Sequence, residues 1–520
     1  MITALVLDGF KGIEGRQRIE FAPLTLLFGA NSAGKSTILQ ALLYLDEILQ
    51  CGSADVDRTE LGGSVLELGG FARLVHRHDT NRAIVVSVEF GTPGSLERFG
   101  RDLGEFPLPD LDDEVESAWL ELTIRSRTTP TFRGAVVDVA RLGINQHQDP
   151  LVWLGLGPSL REGEPLFVRV NTRHPVLHKV GHPDLGNWSD VAVPIHSQKS
   201  LFAAEGEVSV PEDFRVDEDP TLPVFALARS WNSALPSFRD PLRVLVPGGD
   251  EPSRRERAAL EQVRNFLEMV VLGTTAQLAD YLRDARYIGP LRTLPPRGYL
   301  YERVGRLASW ADGLAAWDLL LADRVNLVEQ TNTWLRRLGA SCQVKVQQLF
   351  DEAATAEELA DGHVDKTARR LLLDTGAGSF VLPSEVGAGV SQVIPIVVGA
   401  LGAGSGLLLV EQPEIHVHPA VQVGLGDLFV GAMTGAARRG MLVETHSEHL
   451  LLRVMRRMRE TAEGKLPEGA PPVRPVDVRV LFIERIEGRT IIRQMPLNER
   501  GELVKAWPGG FFEEGLKEVL

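Results

Sequence analysis

The sequence has little cysteine, no long apolar run and an excess of acidic over basic side chains. Only Cys51 and Cys342 are present, and their separation fits neither a metal site nor a disulfide framework, so we expect ordinary thiols in a reducing compartment. No run of about eighteen apolar residues occurs, and Asp8 follows the start too early for a signal peptide. We therefore expect a cytoplasmic protein with no membrane partner.

The charge balance limits the expected partners. The formal net charge is −15, which argues against tight nonspecific binding of duplex DNA over the whole surface but leaves room for a local basic groove. Hydrophobic residues make up 44% and charged residues 24% of the 520 positions, as in ordinary globular proteins. This length predicts two or three compact units.

Residues 29–37 match the phosphate-binding P-loop pattern, G-x-x-x-x-G-K-[ST]. They are Gly29, Ala30, Asn31, Ser32, Ala33, Gly34, Lys35, Ser36 and Thr37. Small residues let successive backbone N–H groups turn inward around a phosphate of ATP, and the N-terminus of the next helix adds its positive dipole end. Lys35 would bridge the β- and γ-phosphates, and the Ser36 hydroxyl would ligate Mg²⁺.

The flanks of this segment agree with the pattern, because a P-loop leaves a buried strand and enters a helix. Residues 24–28 form a short apolar run, and residues 36–49 carry apolar side chains at helical spacing. A glycine-rich turn that matches by chance is the alternative interpretation. Both flanks argue against it.

A second segment supplies the carboxylate that a P-loop needs, because Mg²⁺ takes oxygen ligands beside the serine hydroxyl. Residues 407–410 are wholly apolar and are followed by Glu411. Glu411 is therefore the candidate Mg²⁺ ligand together with Ser36. A buried strand that ends in a carboxylate also occurs by chance, but its pairing with a P-loop favours the functional interpretation.

The hydrophobic pattern predicts three regions. Residues 1–145 hold the P-loop and short strands, with alternating segments that predict an antiparallel β-layer. Residues 146–368 are predicted to be an insertion that is largely helical from residue 253 onward. Residues 369–520 return to compact α/β patterning. The acidic run at residues 105–114 is predicted to be a solvated loop.

Several short segments occur in a recognisable order along the chain. They are the P-loop, 386–392 (VGAGVSQ), 410–419 (VEQPEIHVHP) and 443–447 (VETHS), with 9–13 (GFKGI), 287–292 (YIGPLR) and 507–514 (WPGGFFEE). Together they resemble the ABC-type ATPase heads of the SMC, RecF and OLD class. The resemblance is strongest to the stand-alone bacterial AAA-family ATPases of antiphage defence loci, of which the Septu ATPase is one relative.

The resemblance implies an α/β fold, namely a P-loop NTPase head of the ABC type with an antiparallel β-subdomain and a helical insertion. In such heads two protomers enclose two nucleotides, and the P-loop of one protomer faces a signature turn of the other. The implied signature residues here are Gly387, Gly389, Ser391 and Gln392. His446 would be the switch histidine, whose imidazole reaches the γ-phosphate or the attacking water.

One residue departs from the pattern of such heads. The residue after the metal carboxylate is usually a glutamate that polarises the attacking water, whereas this chain has Gln412. A neutral amide orients water but cannot take its proton. We therefore predict slow or absent hydrolysis, or assistance from Glu414, with Glu411, Gln412, Glu414 and His446 as the catalytic set.

Two other features have ordinary interpretations. His416 and His418 lie two residues apart in an extended segment, and with no third ligand at metal-site spacing we expect packing or dimer contacts. The basic helix with Arg453, Arg456 and Arg457 could face nucleic acid, but a solvated face is the usual meaning of such charge.

The resemblance leaves several functions open. We favour a slow ATPase whose nucleotide-dependent dimerisation, as a homodimer or higher even homo-oligomer, controls a separate effector protein or DNA. OLD-type relatives often carry a C-terminal nuclease. The pattern of the residues after His446 predicts only the last strands of the head and a short helix. Any nuclease is therefore expected on a separate chain. A RecF-like DNA-repair ATPase and a nucleotide-gated scaffold without hydrolysis are the alternatives.

Overall fold

The structure is a computed structural model. It describes residues 1–54, 68–92, 115–130, 132–158, 160–161, 163–179, 185–193, 222–229, 232–238, 240–246, 251–297, 299, 309–322, 326–340, 342–349, 368–376, 379–402, 404, 406–435 and 439–508. The predicted acidic loop at 105–114 and the end of the 507–514 segment, from residue 509, lie outside the described residues.

The strands in chain order are β1 Ile2–Asp8, β2 Gln17–Glu20, β3 Leu24–Gly29, β4 Ile84–Gly91, β5 Ser117–Thr128, β6 Arg133–Ile144, β7 Val152–Leu156, β8 Leu166–Val170, β9 Val224–Leu227, β10 Val244–Leu245, β11 Arg286–Ile288, β12 Gln343–Leu349, β13 Ala368–Asp374, β14 Phe380–Val381, β15 Leu408–Glu411, β16 Met441–Glu444, β17 Val478–Ile486 and β18 Arg489–Gln494.

The α-helices are α1 Lys35–Cys51, α2 Phe71–Leu74, α3 Pro175–Lys179, α4 Arg254–Leu267, α5 Thr274–Arg283, α6 Leu314–Ala322, α7 Leu327–Arg337, α8 Ala388–Leu401, α9 Pro419–Thr434 and α10 Glu448–Ala462. One π-helical turn, Glu268–Gly273, joins α4 to α5. Among the described residues, no helix is long and apolar enough to cross a membrane. Neither cysteine forms a disulfide, as expected.

The chain forms two compact units. Unit 1 comprises Met1–Glu20, Gln40–Arg283 and Glu487–Thr490, and unit 2 comprises Phe21–Leu39, Asp284–Ile486 and Ile491–Leu520. These bounds differ from the predicted division at 145/146 and 368/369, which stays a prediction. The helical segments that were predicted as one insertion belong to different units, because α4 and α5 lie in unit 1 whereas α6 and α7 lie in unit 2.

Unit 1 is built on a nine-stranded antiparallel sheet in the order β10-β9-β8-β7-β6-β5-β4-β1-β2. Alternation creates its two faces; in β4, for example, Val86 and Val88 are buried whereas Val85 and Glu89 are partly exposed. The sheet continues through β7 to β10, beyond the predicted limit at residue 145. Each of these strands has at most five residues, so its alternation was too short to recognise.

Unit 2 contains a six-stranded sheet in the order β11-β15-β16-β3-β17-β18. The first five strands run parallel, and their apolar side chains are buried in a core that includes α8, α9 and α10. Because parallel strands share one carboxyl edge, the ends of β3, β15 and β16 meet there. Glu411 and Glu444 are direct neighbours in the register.

A second, smaller sheet in unit 2 joins β12, β13 and β14 in antiparallel order. Helices α6 and α7 pack on it through Trp317, Leu320 and Leu335, all of which are fully buried.

Candidate nucleotide-binding site

The P-loop follows β3 and ends where α1 begins at Lys35. Gly29 has φ +147°, and a Cβ at this position would lie 2.0 Å from the carbonyl oxygen of Ile483 on β17. Gly34 has φ +106°, so both glycines occupy backbone conformations that a larger residue would strain. The predicted strand, glycine-rich loop and helix are therefore all present, and the predicted α/β P-loop NTPase fold class is confirmed.

Lys35 is 4% exposed, and its ammonium lies among loop carbonyls. Its Nζ donates to the backbone oxygens of Gly29 and Ala30, both at 3.0 Å. The same Nζ lies 3.1 Å from Nε2 of His446 and 3.8 Å from Oε1 of Glu444. Burial lowers the pKa of Lys35, although the nearby carboxylates oppose this shift.

Two buried carboxylates lie beside the loop. Ser36 Oγ donates to Oε2 of Glu444 at 2.6 Å, and Tyr287 Oη donates to Oε1 of Glu411 at 2.8 Å. Burial, and then the negative charge of Glu444, raises the pKa of Glu411 to about 7; the hydroxyls of Tyr287 and Ser36 and the charge of Lys35 oppose this shift. The negative charge of Glu444 thus opposes ionisation of Glu411, and a cation bound between them would relieve this repulsion.

This donor set fits a nucleotide-bound Mg²⁺. Mg²⁺ prefers oxygen ligands and takes one or two carboxylates, with phosphate oxygens and water completing its shell. Ser36, Glu411 and Glu444 supply a hydroxyl and two carboxylates. No cluster of three or more His, Cys, Asp or Glu suited to an all-protein metal site occurs among the described residues.

Sequence analysis missed Glu444, which lies between the P-loop lysine and Glu411. It ends β16, the strand that lies directly between β3 and β15. The signal was available, because residues 441–443 are apolar and are followed by Glu444. The same pattern identified Glu411. Only the order of strands in the sheet, which the sequence does not state, places Glu444 beside the P-loop.

Tyr287 and Arg292 brace the turn after Glu411. The Nη2 of Arg292 donates to the carbonyl oxygens of Glu411 and Gln412 at 2.7 and 3.2 Å. These contacts hold Gln412 in a left-handed conformation with φ +44°. Arg292 is 5% exposed, and burial lowers the pKa of its guanidinium to about 10. These two residues belong to the 287–292 segment, whose role sequence analysis did not specify.

Glu414 ties the turn after Glu411 to the loop that carries His446. Its Oε2 accepts a hydrogen bond from Thr445 Oγ1 at 2.8 Å, and its Oε1 accepts one from the backbone N of His446 at 2.6 Å. Burial raises the pKa of Glu414 despite these bonds. Both oxygens are therefore engaged, and its role as an assisting carboxylate stays a prediction, as does that of Gln412.

His446 lies close to the P-loop lysine, where the resemblance expects the switch histidine. Burial, and then the charge of Lys35, lowers the pKa of His446, so its neutral imidazole is favoured near pH 7. With Nε2 facing the ammonium, the neutral ring accepts at that atom. Its catalytic role stays a prediction.

The helix expected to carry the signature, α8, has its first turn partly covered. Ser391 is 1% exposed and Gln392 is 8% exposed, and the Gln392 amide donates to the Arg292 carbonyl at 2.7 Å. A Cβ at Gly389 would lie 2.9 Å from the carbonyl oxygen of His416, so this glycine permits a contact within the chain. Only Gly387 is well exposed, and the signature role of the four residues stays a prediction.

The remaining sequence features have structural roles. His418 Nδ1 accepts from the backbone N of Ala420 and caps α9. Arg453 and Arg457 both pair with Asp427, so this part of the basic helix is neutralised within the chain. Trp507 lies edge-on to Phe28 of β3 with ring centroids 5.4 Å apart, which explains one residue of the 507–514 segment.

Comparisons with known families match the two ends of the chain. An AAA domain model matches residues 4–45, which include β3, the P-loop and the start of α1. A model described as a protein of unknown function, DUF3696, matches residues 473–520, which include β17, β18 and Trp507. Together these models cover less than half of the chain. No curated protein matches the chain significantly.

Solved SMC heads align over most of the chain. An Smc head bound to the C-winged helix domain of ScpA has 10% identity, covers 96% of this chain and 98% of that chain, and has a TM-score of 0.38. The head from Thermotoga maritima has 9% identity, coverage of 96% and 99%, and a TM-score of 0.36. A Pyrococcus furiosus Smc head with an extended coiled coil, bound to the C-terminal domain of ScpA, has 10% identity, coverage of 100% and 98%, and a TM-score of 0.37. These scores are too low to assign partners or activity.

Proposed function

We propose that the protein binds ATP with Mg²⁺, hydrolyses it slowly to ADP and phosphate, and uses nucleotide-dependent dimerisation to control a separate effector protein or DNA. One observation carries the proposal. Lys35, Ser36, Glu411, Glu444 and His446 meet at the carboxyl edge of one parallel sheet, within hydrogen-bonding or ion-pair distance of a neighbour in the set.

The residues have separate tasks in this proposal. Lys35 and the loop N–H groups bind the phosphates, while Ser36, Glu411 and Glu444 hold Mg²⁺. The bound metal would neutralise phosphate charge. Gln412 orients water without taking its proton, and Glu414 is already engaged by Thr445 and His446. Slow turnover follows, because no described carboxylate beside the turn is clearly available as a base.

The dimer is supported by exposed groups on the same edge of unit 2. Leu291 precedes Arg292 on the bracing turn and is 77% exposed, and Gly387 at the start of α8 is also exposed. An apolar side chain exposed to this degree beside a charged site is a candidate interface residue. We propose that a second copy of the chain covers it when ATP is bound.

The biological setting rests on the resemblance of the motifs. We propose antiphage defence as the setting and a separate chain, such as a nuclease, as the effector. DNA engagement is part of the same proposal. Helix α10 does not support DNA binding, because its Arg453 and Arg457 both pair with Asp427.

ATP turnover and molar mass test the proposal. Purified protein is compared with Lys35→Ala and Glu411→Gln variants, and with Lys465→Ala and Glu468→Gln as exposed controls. We expect slow turnover in the wild type and in both controls, a loss of at least about tenfold in the two site variants, and a doubling of molar mass with Mg²⁺-ATP. Leu291→Arg should block the doubling while leaving nucleotide binding intact.

The outcomes separate the alternatives. Nucleotide binding without turnover, with or without DNA, would contradict the ATPase and leave a nucleotide-gated scaffold. Turnover without any change in mass would contradict the dimer. If ATP does not bind to the wild type, the whole proposal is wrong.

A further inference from the structure

A polar row crosses one face of the nine-stranded sheet in unit 1. Direct cross-strand neighbours place Arg18 beside Val6, Val6 beside Ser87, Ser87 beside Glu121, Glu121 beside Arg141, and Arg141 beside Trp153. A cavity of about 840 Å³ opens on this face and is lined by all six residues. Sites for small ligands usually have volumes of about 300–1,000 Å³, so the cavity has the size of a ligand site.

Trp119 forms the floor of part of this cavity. It is the direct cross-strand neighbour of Gly143, and a Cβ on Gly143 would lie 2.2 Å from atoms of the indole ring. The indole therefore lies over the bare backbone of β6. Its Nε1 donates to the carbonyl oxygen of His147 at 2.8 Å, which restrains the ring. A fixed, partly exposed indole that lines a cavity is a stacking platform for a planar ring.

Arginines surround this platform. Glu121 is 7% exposed and accepts from Arg16 at 2.7 Å and from Arg141 at 3.0 Å, while Arg18 pairs with Glu89. Each guanidinium has five N–H donors, and the arginine side chains are 33–56% exposed. The cavity lining holds three arginines and two glutamates, and Glu20, outside the lining, lies 3.9 Å from Arg18. The N–H groups of the exposed guanidinium groups can donate to an anion in the cavity.

A purely structural role explains only part of this arrangement. Arg16 and Arg141 compensate the charge of the buried Glu121, whereas the more exposed pair between Arg18 and Glu89 contributes little to stability. Charge compensation does not require two tryptophans around an open cavity. Stacking on an aromatic ring beside arginines is the usual chemistry for single-stranded nucleic acids and nucleotides.

We propose that this cavity binds a nucleoside phosphate unit, with its base stacked on Trp119 and its phosphate held by Arg16, Arg18 and Arg141. The ligand is either a free mononucleotide or one nucleotide of a single-stranded nucleic acid. This site is separate from the P-loop and does not depend on ATP hydrolysis.

Binding is measured on the full chain carrying Lys35→Ala, so that the P-loop does not contribute. The probes are AMP and dTMP in calorimetry and a fluorescein-labelled twelve-nucleotide single strand in anisotropy. Trp119→Leu removes the platform, and the double variant Arg16→Gln with Arg18→Gln removes two exposed cations. Trp334→Leu and the pair Arg297→Gln with Arg474→Gln, all in unit 2, are the matched controls.

We expect Trp119→Leu to weaken binding about tenfold. The arginine double variant should reduce the slope of log affinity against log salt concentration for the labelled strand by about one. Unfolding midpoints establish that the variants are folded. Mononucleotide binding that falls in these variants supports a free nucleotide, and strand binding without mononucleotide binding supports a nucleic-acid source. If no probe binds, or if both cavity variants bind as the controls do, the proposal is overturned.

Discussion

The two sheets use charged side chains in opposite ways. At the carboxyl edge of the six-stranded sheet, Lys35, Glu411 and Glu444 are all less than 8% exposed and interact with one another. On the nine-stranded sheet, Arg16 and Arg18 are about half exposed; Arg16 pairs with Glu121, and Arg18 pairs with Glu89 and lies 3.9 Å from Glu20. Charge that is buried and coupled responds strongly to pH, to a cation or to the loss of one partner, whereas open charge is screened by solvent.

The largest expected effect is at Arg292, which lies in the buried set. Arg292→Ala leaves the carbonyl oxygens of Glu411 and Gln412 without a donor and removes the cation beside Glu414. We expect a loss of about 3 kcal/mol in the free energy of unfolding and at least tenfold slower turnover, measured by urea unfolding and phosphate release. Arg297→Ala, whose side chain is 79% exposed, should change neither. Near-wild-type stability of Arg292→Ala would contradict the bracing role.

The next effect is the pH dependence caused by Glu411. Its pKa is raised to about 7 in the folded protein, so its contribution to stability is present below the unfolded value and is lost as pH rises through about 7. Without Mg²⁺, we expect the wild type to lose on the order of 2 kcal/mol between pH 5 and pH 8 relative to Glu411→Gln. Urea unfolding at several pH values measures this loss. Parallel pH profiles for Glu411→Gln and wild type would show that this carboxyl does not titrate in the range.

A third prediction separates the metal from the phosphates at Glu444. Glu444→Gln removes a candidate Mg²⁺ ligand and also the charge 3.8 Å from Lys35. Nucleotide affinity should therefore fall about tenfold with Mg²⁺ but rise slightly without it, as measured by calorimetry in each condition. Glu468→Gln is the exposed control. Equal losses in both conditions would assign Glu444 a purely structural role.

The smallest effect is expected on the open sheet. Arg18→Ala breaks two solvent-exposed pairs, with Glu89 and with Glu20, so the free energy of unfolding should change by less than about 0.5 kcal/mol, and ATP turnover should not change. Urea unfolding at low and at high salt measures this. A decrease of more than about 1 kcal/mol in the free energy of unfolding would contradict the proposed difference between the two sheets.

The sequence predicted well the features that depend on local pattern. The P-loop, Glu411, β3 and β15 are each encoded within about ten consecutive residues, as an apolar run followed by a characteristic residue type. The predicted runs 24–28 and 407–410 are observed as the strands Leu24–Gly29 and Leu408–Glu411.

The sequence could not predict features that depend on which strands are neighbours. Glu444 joins the site because β16 lies between β3 and β15, and Arg292 braces the turn through backbone carbonyls, which leave no trace in side-chain pattern. The boundary at Arg283 was missed for a related reason, because the contacts of a helix decide its unit. Burial of Ser391 likewise depends on how α8 packs.

The position of β3 in its sheet has a consequence for synthesis on the ribosome. In unit 1, β4 to β8 pair mainly with their neighbours in sequence, so this sheet can begin to form while the chain is being made. Strand β3 instead pairs with β16 and β17, which are translated roughly 20 to 80 s later at about 5–20 residues per second. During that time its apolar edge, including Leu26 and Phe28, has no partner, which exposes the nascent chain to aggregation. The phosphate-binding loop, although it is encoded well before β16 and β17, is thus among the last parts of the protein to be assembled.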